Sequence, residues 1–172
     1  YRNCNMKNSL FRQLVKSSNK KISVIVEMSG NHQGSLNGAK KFINTSIKSG
    51  ADIIKFQVYT PDTITLNIKK KDFLVKSEGK WKKHKDLYSL YKKAHTPWKW
   101  IKPLTKILNK REIAWFASPF DSSAVNFLEK LKCPAYKVAS PEITDINLIE
   151  KITSTNKPIL LSTGVATIKD ID

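Results

Sequence analysis

Gly50-Ala51-Asp52-Ile53-Ile54-Lys55-Phe56-Gln57 places a lysine in the middle of an apolar run and a glutamine at its end. The run is short, rich in isoleucine and bounded by glycine, so Asp52–Tyr59 reads as a buried strand. Burying an unpaired charge is costly, so packing alone gives Lys55 no reason to be there. Four other runs end the same way. Ile22–Val26 leads into Glu27-Met28-Ser29-Gly30-Asn31-His32-Gln33-Gly34, and Ile113–Ala117 leads into Ser118-Pro119-Phe120-Asp121. Ala135-Tyr136 leads into Lys137-Val138-Ala139-Ser140-Pro141-Glu142, and Ile159–Leu161 into Ser162-Thr163-Gly164. Buried strands whose C-terminal ends all carry functional groups are how a parallel α/β protein assembles one site from many loops.

Between these strands the periodicity is helical. Leu36, Ala39, Phe42, Ile43 and Ile47 share one face of a helix over Leu36–Ser49, which Gly50 closes. Thr96-Pro97 reads as a cap and first position for Trp98–Lys110, with a kink at Pro103. Asp121 caps Ser122–Lys130, Thr144 or Asp145 caps Asn147–Ser154, and Thr167 opens a last helix. The excursion from Thr60 to about Thr96 is too long for a simple βα loop. Its one amphipathic piece is Leu87, Leu90 and Tyr91. Five βα repeats imply a parallel sheet with right-handed crossovers. Pattern alone leaves two architectures open: a doubly wound sheet, or the first five units of a (β/α)8 barrel, which needs about 250 residues. Gly30 and Gly34 do not have the GxGxxG spacing, which disfavours a Rossmann nucleotide site.

The 172 residues are 40% hydrophobic and 26% charged, ordinary globular composition. No apolar stretch approaches the roughly 20 residues of a membrane helix. The polar first twenty residues lack the apolar run of a signal peptide. Residues 1–20 read as a polar extension and 21–172 as the folded part. Tyr1 is not a natural start, whereas Met6 could be one. Cys4 and Cys133 offer neither metal spacing nor a disulfide framework; a buried thiol at Cys133 and a reducing cytoplasm fit. The net charge of +17 draws in anions. Yet arginine occurs only at Arg2, Arg12 and Arg111, and bidentate recognition of bases and phosphates favours arginine. The lysines from Lys69-Lys70-Lys71 to Lys80-Trp81-Lys82-Lys83-His84-Lys85 therefore read as a solvated insertion, and neither nucleic acid nor a membrane is expected as partner.

At the strand ends, Lys55 and Lys137 suit an anionic substrate as fixed charges. Glu27 and Glu142 are candidates for proton transfer, although Glu27 could equally pair a lysine structurally. Ser118, Ser140 and Ser162, read alone, are loop or cap residues. His32 reads as a hydrogen-bonder that orders its loop, since no second histidine stands at a ligand spacing. His84 and His95 read as solvated, and Trp81, Trp98 and Trp100 as packing for the insertion and outer helix.

These five tags, in this order and at these separations, resemble the sialic acid synthase family over Ile22 to Asp172. Tyr59-Thr60-Pro61-Asp62-Thr63-Ile64-Thr65-Leu66, Leu87-Tyr88-Ser89-Leu90-Tyr91 and Ala94-His95-Thr96-Pro97-Trp98-Lys99-Trp100 resemble its pseudaminic acid synthase branch rather than the N-acetylneuraminate branch. The resemblance implies a (β/α)8 TIM-barrel type fold, cut to about its first five βα units. It implies a reaction in which phosphoenolpyruvate condenses with the open-chain aldehyde of an N-acetylated amino sugar. It also places Lys55, Ser118, Lys137, Ser140 and Ser162 on phosphoenolpyruvate, Gln57 on the sugar, and Glu27 and Glu142 at the proton transfers. A divalent metal, Mn2+ or Mg2+, is implied for the full-length enzyme, with its histidine ligands on late strands beyond residue 172. A C-terminal antifreeze-like domain that reaches across a homodimer is implied too, and the fragment alone is expected to be inactive. Two other classes stand beside this one: an aldolase with a Schiff base on Lys55 or Lys137, and a basic binding module without catalysis.

Overall fold

The computed structural model describes residues 22–75 and 85–171. The extension 1–20 with Cys4, and Lys80-Trp81-Lys82-Lys83-His84, lie outside the described residues. Five strands, β1 (Ile25–Met28), β2 (Ile53–Val58), β3 (Ala114–Pro119), β4 (Tyr136–Val138) and β5 (Ile159–Leu161), form one sheet. The strand order is β1-β2-β3-β4-β5, and every pair is parallel. That order separates the two architectures. A doubly wound sheet reverses its strand order at a switch point, whereas a barrel lays each strand beside the last. The chain forms five consecutive βα units of the barrel type.

The helices are α1 (Leu36–Lys48), α2 (Pro61–Ile64), α3 (Leu87–Ala94), α4 (Trp98–Lys110), α5 (Ser122–Lys130), α6 (Ile146–Thr153) and α7 (Ile168–Ile171). The main core lies between helices and sheet, where Ile54, Phe56, Trp115, Ala117 and Tyr136 meet Ile43, Ile101, Leu104, Leu128 and Leu148. Because strand side chains alternate, the neighbouring positions face the other way. There Ile53, Phe116 and Ala135, with Ala114 and Leu160, make a second, smaller apolar cluster. Lys55 and Gln57 share the parity of Ile53. This inward face positions the site.

Local chemistry sets most element ends. Ser35, Asp86, Asp121 and Asp145 each accept a backbone N–H in the first turn of the helix that follows. Gly50 takes φ +92° just beyond α1, the left-handed conformation that favours glycine. Lys69, Lys70, Lys71 and Lys85 are exposed, as a solvated insertion requires. Among the described residues no helix is long and apolar enough to cross a membrane. Cys133 is buried, its thiol 3.2 Å from the Ala135 carbonyl and its pKa pushed up to about 12 by burial.

Two expectations shift. Strand β1 starts at Ile25 rather than Ile22. The Val24 N–H instead meets the Asp52 carboxylate at 2.9 Å, and the Val24 carbonyl accepts from both Asp52 and Ile53. Thr96 does not cap α4; its hydroxyl points to the Ser29 carbonyl at 3.5 Å, and Pro97 stands at the cap without a side-chain bond. The same Thr-Pro pair at Thr60-Pro61 does open a helix, α2, with the Thr60 N–H on Thr63 Oγ1 at 2.9 Å. Pro103 lies inside α4, where the sequence placed it.

Candidate active site

Parallel register sets Glu27 beside Lys55, and Lys55 beside Phe116, on the inward face. The Lys55 ammonium forms an ion pair with Glu27 Oε2, and Gln57 Nε2 donates to Glu27 Oε1. Both oxygens of one carboxylate are thus held by the next strand. Lys55 is 8% exposed, and the pairing explains how an apolar strand tolerates it. Lys137 enters from β4. Burial lowers its pKa, the Lys55 cation lowers it further, and Glu27 and Glu142 oppose the shift. Glu27, Lys55 and Lys137 line one open cleft of about 280 Å³, floored by Ile25, Phe116 and Leu160.

The remaining residues differ in how they join this centre. Ser118 lies beside Gln57 in the register and is 1% exposed, and its hydroxyl has no hydrogen-bond partner among the described residues. Glu142 sits in the 3-10 turn Ser140–Thr144, half-buried, with Oε2 buried and also without a partner. Burial raises its pKa, Asp145 adds to the rise, and Lys137 opposes it. The Ser140 hydroxyl accepts from the Val165 N–H at 2.8 Å, so it ties the loop after β4 to the loop after β5. Ser162 follows β5 with its N–H on the Val138 carbonyl at 3.2 Å. Buried polar atoms without a partner are uncommon and mark places where a ligand or water can bind. Among the described residues no three His, Cys, Asp or Glu side chains gather as a metal site.

Sequence reasoning missed two arrangements. Tyr59, just past β2, meets Tyr91 at 5.7 Å and Phe120 at 5.4 Å between ring centroids, which joins the excursion to the loop after β3. Its hydroxyl pKa is pushed up to about 12 by burial. Behind the sheet, Glu129 accepts from both the Tyr136 hydroxyl and the Lys157 ammonium, and Lys157 also lies 5.6 Å above the Tyr136 ring. That network braces β4 immediately before Lys137. Neither has a local signal, because the partners come from distant segments.

The chain is 46% identical over 144 residues to a pseudaminic acid synthase of Helicobacter pylori, covering 84% of this chain and 42% of that protein. It is 34% identical over 154 residues to an N,N'-diacetyllegionaminic acid synthase of Campylobacter jejuni, covering 89% and 45%. The chain spans less than half the length of these relatives. The structure of the N-acetylneuraminic acid (sialic acid) synthetase of Leptospira borgpetersenii superposes with a TM-score of 0.70 at 29% identity, over 87% of this chain and 47% of that one. Sequence similarity, barrel-type strand order and inward-facing strand ends agree with the profile of the NeuB family, which matches residues 42–172, and the chain belongs to that family.

Proposed function

We propose that this chain is the N-terminal part of the barrel of a synthase that condenses phosphoenolpyruvate with an N-acetylated amino sugar, giving a nonulosonic acid, pseudaminic acid, and phosphate. The observation that carries the reading is the convergence of Lys55 and Lys137 on one cleft beside Glu27. Two cations on a small concave face suit a ligand that carries both a phosphate and a carboxylate. The buried, unpartnered Ser118 hydroxyl supports it as a donor to that anion. Ser140 and Ser162, at the mouths of the next strands, complete the cradle in this reading. Gln57 begins the sugar side. Exposure of Ile25 and Leu161, on the two edge strands, supports further strands beside them in the full-length protein.

The reaction is the one that the family resemblance implies. C3 of the enolpyruvate attacks the sugar aldehyde, whose oxygen gains a proton. Water adds to C2, and the tetrahedral intermediate loses phosphate by C–O cleavage. Glu27, whose two carboxylate oxygens meet the Lys55 ammonium and the Gln57 amide beside the cleft, is placed as the proton acceptor in this reading. Glu142, with burial favouring its neutral form, suits proton donation. The Mn2+ or Mg2+ ion that the family likeness implies has its ligands outside the described residues in this reading, and no step here runs through it.

Phosphate release by the full-length gene product tests the proposal. The expected substrate is 2,4-diacetamido-trideoxyaltrose, with little turnover of N-acetylmannosamine; the reverse preference moves the protein to another branch. No phosphate with either sugar, or a borohydride-trapped lysine adduct, overturns the synthase reading. The Lys137 shift gives a second expectation. Its pKa lies below that of an ordinary lysine, so the cation is present below that value and is lost as pH rises through it. Apparent affinity for phosphoenolpyruvate then falls on the alkaline side, measured as kcat/KM against pH. Lys137→Arg cannot deprotonate in that range and moves the fall to higher pH. An unmoved alkaline limb shows that another group sets it.

A further inference from the structure

The loop behind Glu27 is fastened to the end of α3, more than sixty residues away in sequence. His32 lies in this polar loop yet is 1% exposed. Its Nδ1 accepts from the Gly34 N–H at 3.0 Å, which places the proton on Nε2, and Nε2 donates to the Ala94 carbonyl at 3.2 Å. The ring stands edge-on to Trp100 with centroids 5.3 Å apart. Gly30 approaches α3 so closely that a Cβ on it would lie 3.3 Å from the Ala94 Cβ. Asn31 carries the connection back to the strand: its Nδ2 donates to the Glu27 carbonyl at 3.0 Å, and its Oδ1 accepts from the Ser29 N–H at 3.1 Å. Helix α3 is in turn braced on α2 by the Tyr88 hydroxyl, which donates to Asp62 at 2.9 Å.

We propose that His32 is a positioning residue: it holds the loop behind Glu27 against the end of α3, so that the excursion between β2 and α4 sets where the Glu27 carboxylate stands. The proposal rests on the role given to Glu27 above. The job needs one ring that accepts at one nitrogen and donates at the other, which only neutral imidazole does. Burial lowers the His32 pKa, the backbone bonds oppose it, and the neighbouring His95 and Lys93 lower it further. The ring is therefore held in the form that makes both bonds.

Two variants of the full-length gene product separate positioning from plain stabilisation. In His32→Gln the longer amide keeps a donor near the Nε2 position and so keeps the link to Ala94. His32→Asn keeps an acceptor near Nδ1 for Gly34 and drops that link. The expected result for His32→Asn is a kcat reduced about tenfold, because small misplacements of a reacting group are costly. Its KM for phosphoenolpyruvate stays within about twofold, since Lys55 and Lys137 stand on other strands, and His32→Gln keeps most of the wild-type kcat. Amide hydrogen exchange at residues 30–35 and 92–96 is expected to quicken in His32→Asn and not in His32→Gln. Wild-type kcat in both variants overturns the proposal. So do equal losses in both that follow their melting temperatures. If the wild-type protein releases no phosphate, the synthase reading falls, and exchange alone judges the link: no difference between the two variants removes it.

Discussion

Lys55→Met in the full-length gene product is expected to lower kcat/KM for phosphoenolpyruvate by about 30–300-fold, with a raised KM. Methionine keeps most of the buried stem and removes only the charge. Two effects then act together. The ligand's anionic groups lose a charge-assisted bond, and Glu27 loses the cation that neutralises it. Truncating one partner of a buried, hydrogen-bonded charge pair typically costs 2–5 kcal/mol. The Glu27 side chain is 36% exposed, and water screens part of this, which places the effect in the lower half of that range. At about 1.4 kcal/mol per decade this gives the stated loss. Steady-state phosphate release at varied phosphoenolpyruvate, with calorimetric binding of phosphoenolpyruvate alone, measures it. An unchanged KM and affinity reduces Lys55 to a structural counter-ion.

Gly38→Ala is expected to lower the melting temperature by several degrees, against the usual direction of such a change. In an open helix interior alanine is favoured over glycine by about 1 kcal/mol. Here the added Cβ would stand 2.2 Å from the His32 carbonyl oxygen and 3.0 Å from Ser35 Oγ. The nearest atom is backbone, so relief requires the first turn of α1 to move away from the loop after β1. That movement strains the Ser35 cap on Gly38 (2.9 Å) and the Ser35 N–H bond to the His32 carbonyl (3.2 Å). Overpacking of this kind costs about 1–3 kcal/mol, a few degrees per kcal/mol in a chain of this size. Thermal denaturation of the full-length product checks it. An unchanged or raised melting temperature means the loop yields without cost.

The two substitutions show where reading a sequence succeeds and where it stops. Lys55 was legible because a lysine in an apolar strand breaks a local rule, and the rule is about parity and burial. The Asp121 cap of α5 and the Gly50 end of α1 were legible for the same reason: the groups that satisfy each other are three or four residues apart. Thr96 carries the same local signature as Thr60, yet only Thr60 opens a helix. Its hydroxyl is drawn instead to Ser29, a partner that no window around residue 96 contains. The start of β1 moved because Asp52, across the sheet, takes the Val24 N–H.

The amino-acid order thus determined the alternation of strands and helices, the polar groups at five strand ends, and which residues face inward. These follow from periods of 2 and 3.6 residues and from caps within one turn, all short-range physics. Tertiary structure decided the rest. The strand order selected the barrel type over the doubly wound sheet. Register joined Glu27 to Lys55 and Gln57, left Ser118 and Glu142 Oε2 buried without partners, and gave His32 and Gly38 their roles. Each of those outcomes is a contact between segments that become neighbours only once the sheet forms, and no local preference encodes it.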